Sequence, residues 1–203
     1  MRFTVGHAFW YHSKVVVHMA DEVTRCPLVW TDELSVEIAM PTFVPLGPSG
    51  GIGGAFFDDV TDTLGGPLGG FDGPGATASI LQLGVNSGLT LDHLEVFYQL
   101  PDGSIFRAQH GASNGGARFP DFVISLGDQE KLVKVEGWLH IFDGTLEVRG
   151  FNFTTNFRQS GVLGAKTDNQ FTFQNLPNGE IMAFRGKHGL FFDAVGVWVR
   201  IPD

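Results

Sequence analysis

Two aspartates stand out by what precedes them. Asp193 ends the run Gly189-Leu190-Phe191-Phe192-Asp193, and Asp92 ends Gly88-Leu89-Thr90-Leu91-Asp92. In each, a glycine opens a turn, a carboxylate follows, and the chain then enters an apolar, β-branched run. A glycine turn leaves backbone N–H donors open to a ligand, and a strand mouth is a rigid place to hold a polar group. An ionised carboxylate only accepts. Donors and an acceptor side by side suit a ligand rich in hydroxyl groups, which can both donate and accept. Taken singly, either aspartate can instead merely cap a turn, a common use of Gly and Asp.

The elements that hold these turns read as strands. The chain has 203 residues, 43% hydrophobic and 17% charged, with 28 glycines and 19 phenylalanines. That composition supports a sizeable core and is not that of a disordered chain. Alternating or apolar runs predict strands over Val15–Val17, Leu34–Met40, Ser79–Val85, Leu91–Leu100, Ser104–Gln109 and Phe119–Leu126. Further runs are Lys131–Phe142, Leu146–Phe157, Gln170–Phe173, Ile181–Arg185 and Phe192–Ile201. Turns such as Pro101-Asp102-Gly103 and Pro177-Asn178-Gly179 separate some of them. No segment has a convincing helical period, so the fold class is all-β.

The two aspartate turns belong to an internal repeat. Gly88 onward aligns with Gly144-Thr145-Leu146-Glu147-Val148 and with Gly189 onward, so the middle copy has Val148 in the aspartate's place. A glycine pair, Gly115-Gly116, follows the first copy. The matching region of the middle copy, Gly161-Val162-Leu163-Gly164-Ala165, has none. The last copy runs to the chain end, and its pair is Gly53-Gly54, near the start of the domain. The expectation is a three-fold repeat closed across its own termini, with the last unit split between the two ends.

Pro41, Pro45 and Pro48 punctuate the chain and suggest an N-terminal extension over 1–45 and a main domain over 46–203. The extension holds strand-like, aromatic segments and is expected to pack on the main domain or on a partner subunit. The formal net charge of −9 lacks the basic footprint of a nucleic-acid binder and disfavours an anionic membrane surface. No run is long and apolar enough to insert in a bilayer. A lone cysteine, Cys26, and an N-terminus without an apolar leader point to a cytoplasmic setting.

Other candidate chemistry is weaker. Asp58 and Asp59 are adjacent, and adjacent strand residues point to opposite faces, so they do not flank one glycosidic bond. His7, His12 and His18 match no familiar metal spacing. Cys26 has no ordered base and reads as a buried structural residue. Asn152-Phe153-Thr154 matches a glycosylation sequon but lies in an expected strand. No cofactor and no enzymatic activity are expected.

Several motifs in order resemble the jacalin-related lectins: Gly50-Gly51-Ile52-Gly53-Gly54 with Phe57-Asp58-Asp59, Phe151-Asn152-Phe153-Thr154-Thr155-Asn156, and Gly186-Lys187-His188-Gly189-Leu190-Phe191-Phe192-Asp193-Ala194-Val195-Gly196-Val197. The resemblance covers about residues 46–203 and leaves the extension unmatched. It implies a β-prism of three four-stranded Greek-key sheets and metal-independent sugar binding by a G-x-x-x-D loop beside a Gly-Gly loop. On this pattern Gly189, Leu190, Phe191 and Asp193, with Gly54 opposite, form one site. Gly88, Leu89, Thr90 and Asp92, with Gly116 opposite, match the second site that banana-type members carry. Galactose-specific relatives are cut just ahead of the glycine loop. Here that loop is internal, which favours mannose- or glucose-containing glycans. The alternative is a protein-interaction module that keeps the prism without sugar binding. The resemblance leaves homo-oligomerisation open.

Overall fold

The computed structural model describes residues 15–16, 35–36, 41–60, 78–111 and 120–202. The chain divides into two compact units, Met1–Met40 with Asp203, and Pro41–Pro202. In the first, strands β1 (Val15–Val16) and β2 (Ser35–Val36) pair antiparallel. How the rest of the extension packs, and His7, His12, His18 and Cys26, lie outside the described residues.

The described residues of the second unit form twelve strands and include no helix. They are β3 (Thr42–Gly50), β4 (Ala55–Asp58), β5 (Ser79–Ser87), β6 (Leu91–Gln99), β7 (Ile105–Gly111) and β8 (Phe122–Ser125). Then come β9 (Leu132–Phe142), β10 (Thr145–Thr155), β11 (Leu163–Gly164), β12 (Asn169–Gln174), β13 (Glu180–His188) and β14 (Phe192–Ile201). They form three antiparallel sheets of four, in the orders β3-β14-β13-β4, β7-β6-β5-β8 and β11-β10-β9-β12. Each is a Greek key: a central hairpin, a third strand beside the second, and a fourth returning beside the first. In the first sheet the hairpin is β13–β14 and the outer strands are β3 and β4. The last unit is therefore split between the chain ends, as the repeat predicted.

The three sheets bury one shared interior. Leu83, Leu94 and Val96, then Phe151 and Phe153, then Phe184, Val195, Val197 and Val199 are all fully buried. Phe153 meets Phe151 with centroids 5.4 Å apart and Phe184 edge-on at 6.3 Å, so aromatics bridge two sheets. Burying each such ring stabilises the fold by roughly 1.5–3 kcal/mol.

Strand β3 was not expected from sequence, because Pro41, Pro45 and Pro48 read as punctuation. Among the described residues it is an edge strand paired to β14 alone, and proline, which lacks an N–H, is tolerated there. The sequon is structural: Asn152 is buried in β10 and its Nδ2 donates to Glu136 Oε2 at 2.7 Å.

A partly exposed ion pair ties the loop after β10 to the loop before β9. Arg158 Nε donates to Glu130 Oε1 at 2.8 Å, with the Thr155 hydroxyl on the same oxygen and the Gly127 N–H on the other. The Arg158 hydrogen bond, above all, holds the Glu130 carboxyl down at about 2. A depressed carboxyl contributes stability above its ordinary pKa of 4.5, lost as the pH falls towards 2. Urea-unfolding midpoints between pH 6 and pH 2.5 should therefore fall more steeply in the parent than in Glu130→Gln. Equal slopes would contradict this.

Candidate functional site

The turns of the three central hairpins meet at one end of the prism. A Cβ on Gly51, in the β3–β4 loop, would lie 2.2 Å from the Leu146 carbonyl oxygen of β10. Phe191, in the β13–β14 turn, meets Phe142 of β9 edge-on at 5.3 Å. Arg149 of β10 donates to the Leu89 carbonyl in the β5–β6 turn at 2.6 Å.

Asp193 is held by a β-bulge. Lys187 pairs with Ala194 and His188 with Phe192, so Asp193 is the extra residue on β14. A bulge re-aims the side chain it carries. Here it turns Asp193 to the β3–β4 glycine loop, which β4 brings alongside by pairing Ala55 with His188. A Cβ on Gly53 would lie 2.2 Å from Asp193 Oδ1, and one on Gly54 2.4 Å from Oδ2. Only glycine leaves the carboxylate its room, and Gly54, at φ +68°, also needs glycine's backbone freedom. Gly189 stands across from Gly54, whose Cα a Gly189 Cβ would approach to 3.9 Å.

The loop itself is fixed by the Gly51 N–H donating to the Asp193 carbonyl at 2.7 Å and Lys187 Nζ donating to the Ile52 carbonyl at 3.0 Å. Asp193 is only 7% exposed, yet among the described residues no donor bonds its side-chain oxygens. The residue is largely enclosed, but its carboxylate oxygens reach the surface and are left free to accept from a ligand's hydroxyl groups. Leu190 is exposed and Phe191 half-buried, while Phe192 lies wholly in the core.

Asp92 is placed the same way. Asn86 pairs with His93 and Ser87 with Leu91, so Asp92 is the bulged residue of β6. Gly111 at the end of β7 lies against the Asp92 backbone as Gly50 lies against that of Asp193: added Cβ atoms would fall 2.1 Å and 2.2 Å from the two carbonyl oxygens. Gly88 N–H donates to the Thr90 carbonyl, as Gly189 N–H does to Phe191. The third residue of the second turn differs from its counterpart Phe191. Thr90 is fully buried, and its hydroxyl donates to Asp92 Oδ1 at 3.2 Å. Gly116, its expected partner, lies outside the described residues.

The middle repeat corrects the alignment. The bulge on β10 falls between Val148, paired with Leu139, and Gly150, paired with Trp138. Arg149, not Val148, thus holds the position of the two aspartates. Beyond the bulge the β9–β10 ladder continues through Val148, Glu147, Leu146 and Thr145. This longer hairpin walls the Asp193 site. Its Glu147 is buried with Oε2 unpartnered, and burial, then the charges of Asp193 and Asp143, push its carboxyl up. Sequence reading missed Glu147 and Phe142 in this wall, and Arg149, which faces the Asp92 turn instead.

Asp58 and Asp59 are structural. Asp58 takes Trp198 Nε1 and lies beside Arg185, whereas Asp59 takes the Tyr98 hydroxyl and His110. They turn to different sheets, as adjacent strand residues should.

A family model described as jacalin-like lectin domain matches residues 46–198. Jacalin-related lectin 3 of Arabidopsis thaliana is 27% identical over 183 residues, 88% of this chain and 27% of that protein. The chain spans 27%, 51% and 48% of the length of three curated relatives it matches. A wild-type Malaysian banana lectin structure superposes with a TM-score of 0.63 at 24% identity, covering 80% of this chain and all of that one. AcmJRL from Ananas comosus, described as a mannose-binding jacalin-related lectin, superposes with a TM-score of 0.61 at 26% identity over 79% of this chain and 99% of its own. With three Greek-key sheets, a glycine loop set against a bulged aspartate, and a family match over most of its length, the chain belongs to the jacalin-like lectin domain family.

Proposed function

We propose that the chain binds mannose- or glucose-containing glycans without a metal ion, through one site at Asp193 and a second at Asp92. The observation that carries this is the Asp193 carboxylate, set among glycines and open to a ligand, with no protein donor on either oxygen among the described residues. A sugar hydroxyl pair would donate to it, and N–H groups of the Gly189 turn and the Gly54 loop would donate to further sugar oxygens. Asp92 occupies the same bulge in a second hairpin. The relative described as mannose-binding supports the sugar class. A cytoplasmic setting is part of the same proposal and rests on the lone Cys26.

A glycan array probed with the purified chain in a chelator tests the reading. Mannose-containing glycans should be retained and galactosides should not. Binding to galactosides alone, or loss of all binding with chelator, would contradict it. No glycan bound at all would favour the protein-interaction module.

The glycine loop gives a sharper result. In Gly54→Ala the new methyl would occupy the space of Asp193 Oδ2 and of the His188 backbone, which a Cβ would approach to 2.4 Å and 2.6 Å. Affinity at the Asp193 site should fall at least about tenfold, about 1.4 kcal/mol, by calorimetric titration. An unchanged constant would remove Gly54 from the site.

A further inference from the structure

We infer that Arg149 is a positioning residue for the Asp92 site, an inference that rests on the proposed sugar binding there. The middle repeat has no aspartate at its bulge, and the arginine in that place reaches across to the neighbouring repeat. Arg149 sits at the β10 bulge and sends Nη1 to the Leu89 carbonyl at 2.6 Å, with His140 Nδ1 3.2 Å from the same nitrogen. Arginine only donates, so His140 Nδ1 accepts and the imidazole proton is on Nε2, a buried atom without a partner. Burial and the Arg149 charge both hold the His140 pKa down, keeping the ring in this accepting form.

Two of the turn's carbonyls are tied. The Thr90 carbonyl takes the Gly88 N–H at 2.9 Å, and the Leu89 carbonyl takes Arg149. A peptide unit is planar, so fixing the Leu89 carbonyl fixes the whole Leu89–Thr90 plane. That plane sets where Thr90 begins, and the Thr90 hydroxyl bonds Asp92 Oδ1 at 3.2 Å. Arg149 thereby orients the carboxylate through one turn without touching a ligand at it. The Asp193 turn uses a different brace, Lys187 on the Ile52 carbonyl of the facing loop. The two sites therefore respond to different substitutions.

The test is calorimetric titration with methyl α-mannoside of the full chain carrying one intact site. In the Asp193→Ala background only the Asp92 site remains. There Arg149→Met should weaken binding at least about tenfold, the loss of one charge-assisted hydrogen bond. Arg149→Lys, which keeps a cationic donor for the Leu89 carbonyl, should restore most of it. In the Asp92→Ala background, Arg149→Met should leave the Asp193 site unchanged. Unaltered affinity of the Asp92 site in Arg149→Met would overturn the inference. So would an equal loss at both sites, which would mark a general structural role. If Asp193→Ala alone binds no mannoside, the Asp92 site itself has failed and the role of Arg149 falls with it.

Discussion

Replacing Asp193 by alanine should silence one sugar site and leave the prism intact. A monosaccharide site of this open kind binds on the order of 1 mM to 0.1 mM, about −4 to −5.5 kcal/mol. Losing an ionised acceptor of two hydroxyl hydrogen bonds costs about 1.5–3 kcal/mol, enough to lift the site out of the measurable range. The fold should not suffer, since no protein donor bonds the Asp193 side chain among the described residues, and its charge works against buried Glu147. A carboxyl raised by folding, as Glu147 is, loses the fold stability as pH rises above the ordinary 4.5. Removing Asp193 relieves part of that, so Asp193→Ala should melt no lower than the parent and show a shallower loss of stability above pH 4.5. Asp92→Ala should remove the other site, and the double variant both. Branched glycans should suffer more than monosaccharides from either change, because avidity needs more than one engaged site. Full sugar binding by Asp193→Ala in a titration would sink the assignment.

The largest loss of stability should come from Asp59, which neither site uses. It follows β4 and lies 2% exposed between two sheets. The Tyr98 hydroxyl of β6 donates to Oδ2 at 2.5 Å, and His110 of β7 lies 2.7 Å from Oδ1. Tyr98 in turn accepts the Phe184 N–H of β13 at 3.3 Å, and Phe57 stacks on His110 at 3.8 Å. Burial first, then Asp59, push the Tyr98 hydroxyl well above its ordinary 10.0, so it remains a donor. Asp59→Ala strands two buried polar groups at once and should cost about 3–5 kcal/mol in a urea titration. Tyr98→Phe removes one bond at each end and should cost about 1–3 kcal/mol. A cost below about 1 kcal/mol for Asp59→Ala would mean that water replaces the carboxylate.

Much of this was legible because a repeat is counted, not weighed. Three glycine turns in register with alternating strands exposed a three-fold repeat, the position of Gly53-Gly54 exposed the unit split between the ends, and the family resemblance implied the three four-stranded sheets. The bulges were not legible. A bulge adds one residue to one strand, and periodicity on a single strand cannot reveal that its partner lacks a counterpart. For the same reason the sequence alignment set Val148 against the aspartates where the ladder sets Arg149. Strand β3 was hidden by residues that usually end strands, because what permits Pro45 and Pro48 is an edge position, a property of the sheet and not of the segment. The wall formed by Phe142, Leu146 and Glu147 could not be read either, since it depends on how far one hairpin extends beyond its bulge.

The most direct measurement is the number of sugars bound. Calorimetric titration of the parent chain with methyl α-mannoside in excess chelator should give two sites per chain, falling to one in Asp193→Ala and one in Asp92→Ala. A parent stoichiometry of one, abolished by Asp193→Ala and untouched by Asp92→Ala, would contradict the two-site account and leave the Gly88–Asp92 turn as a turn only.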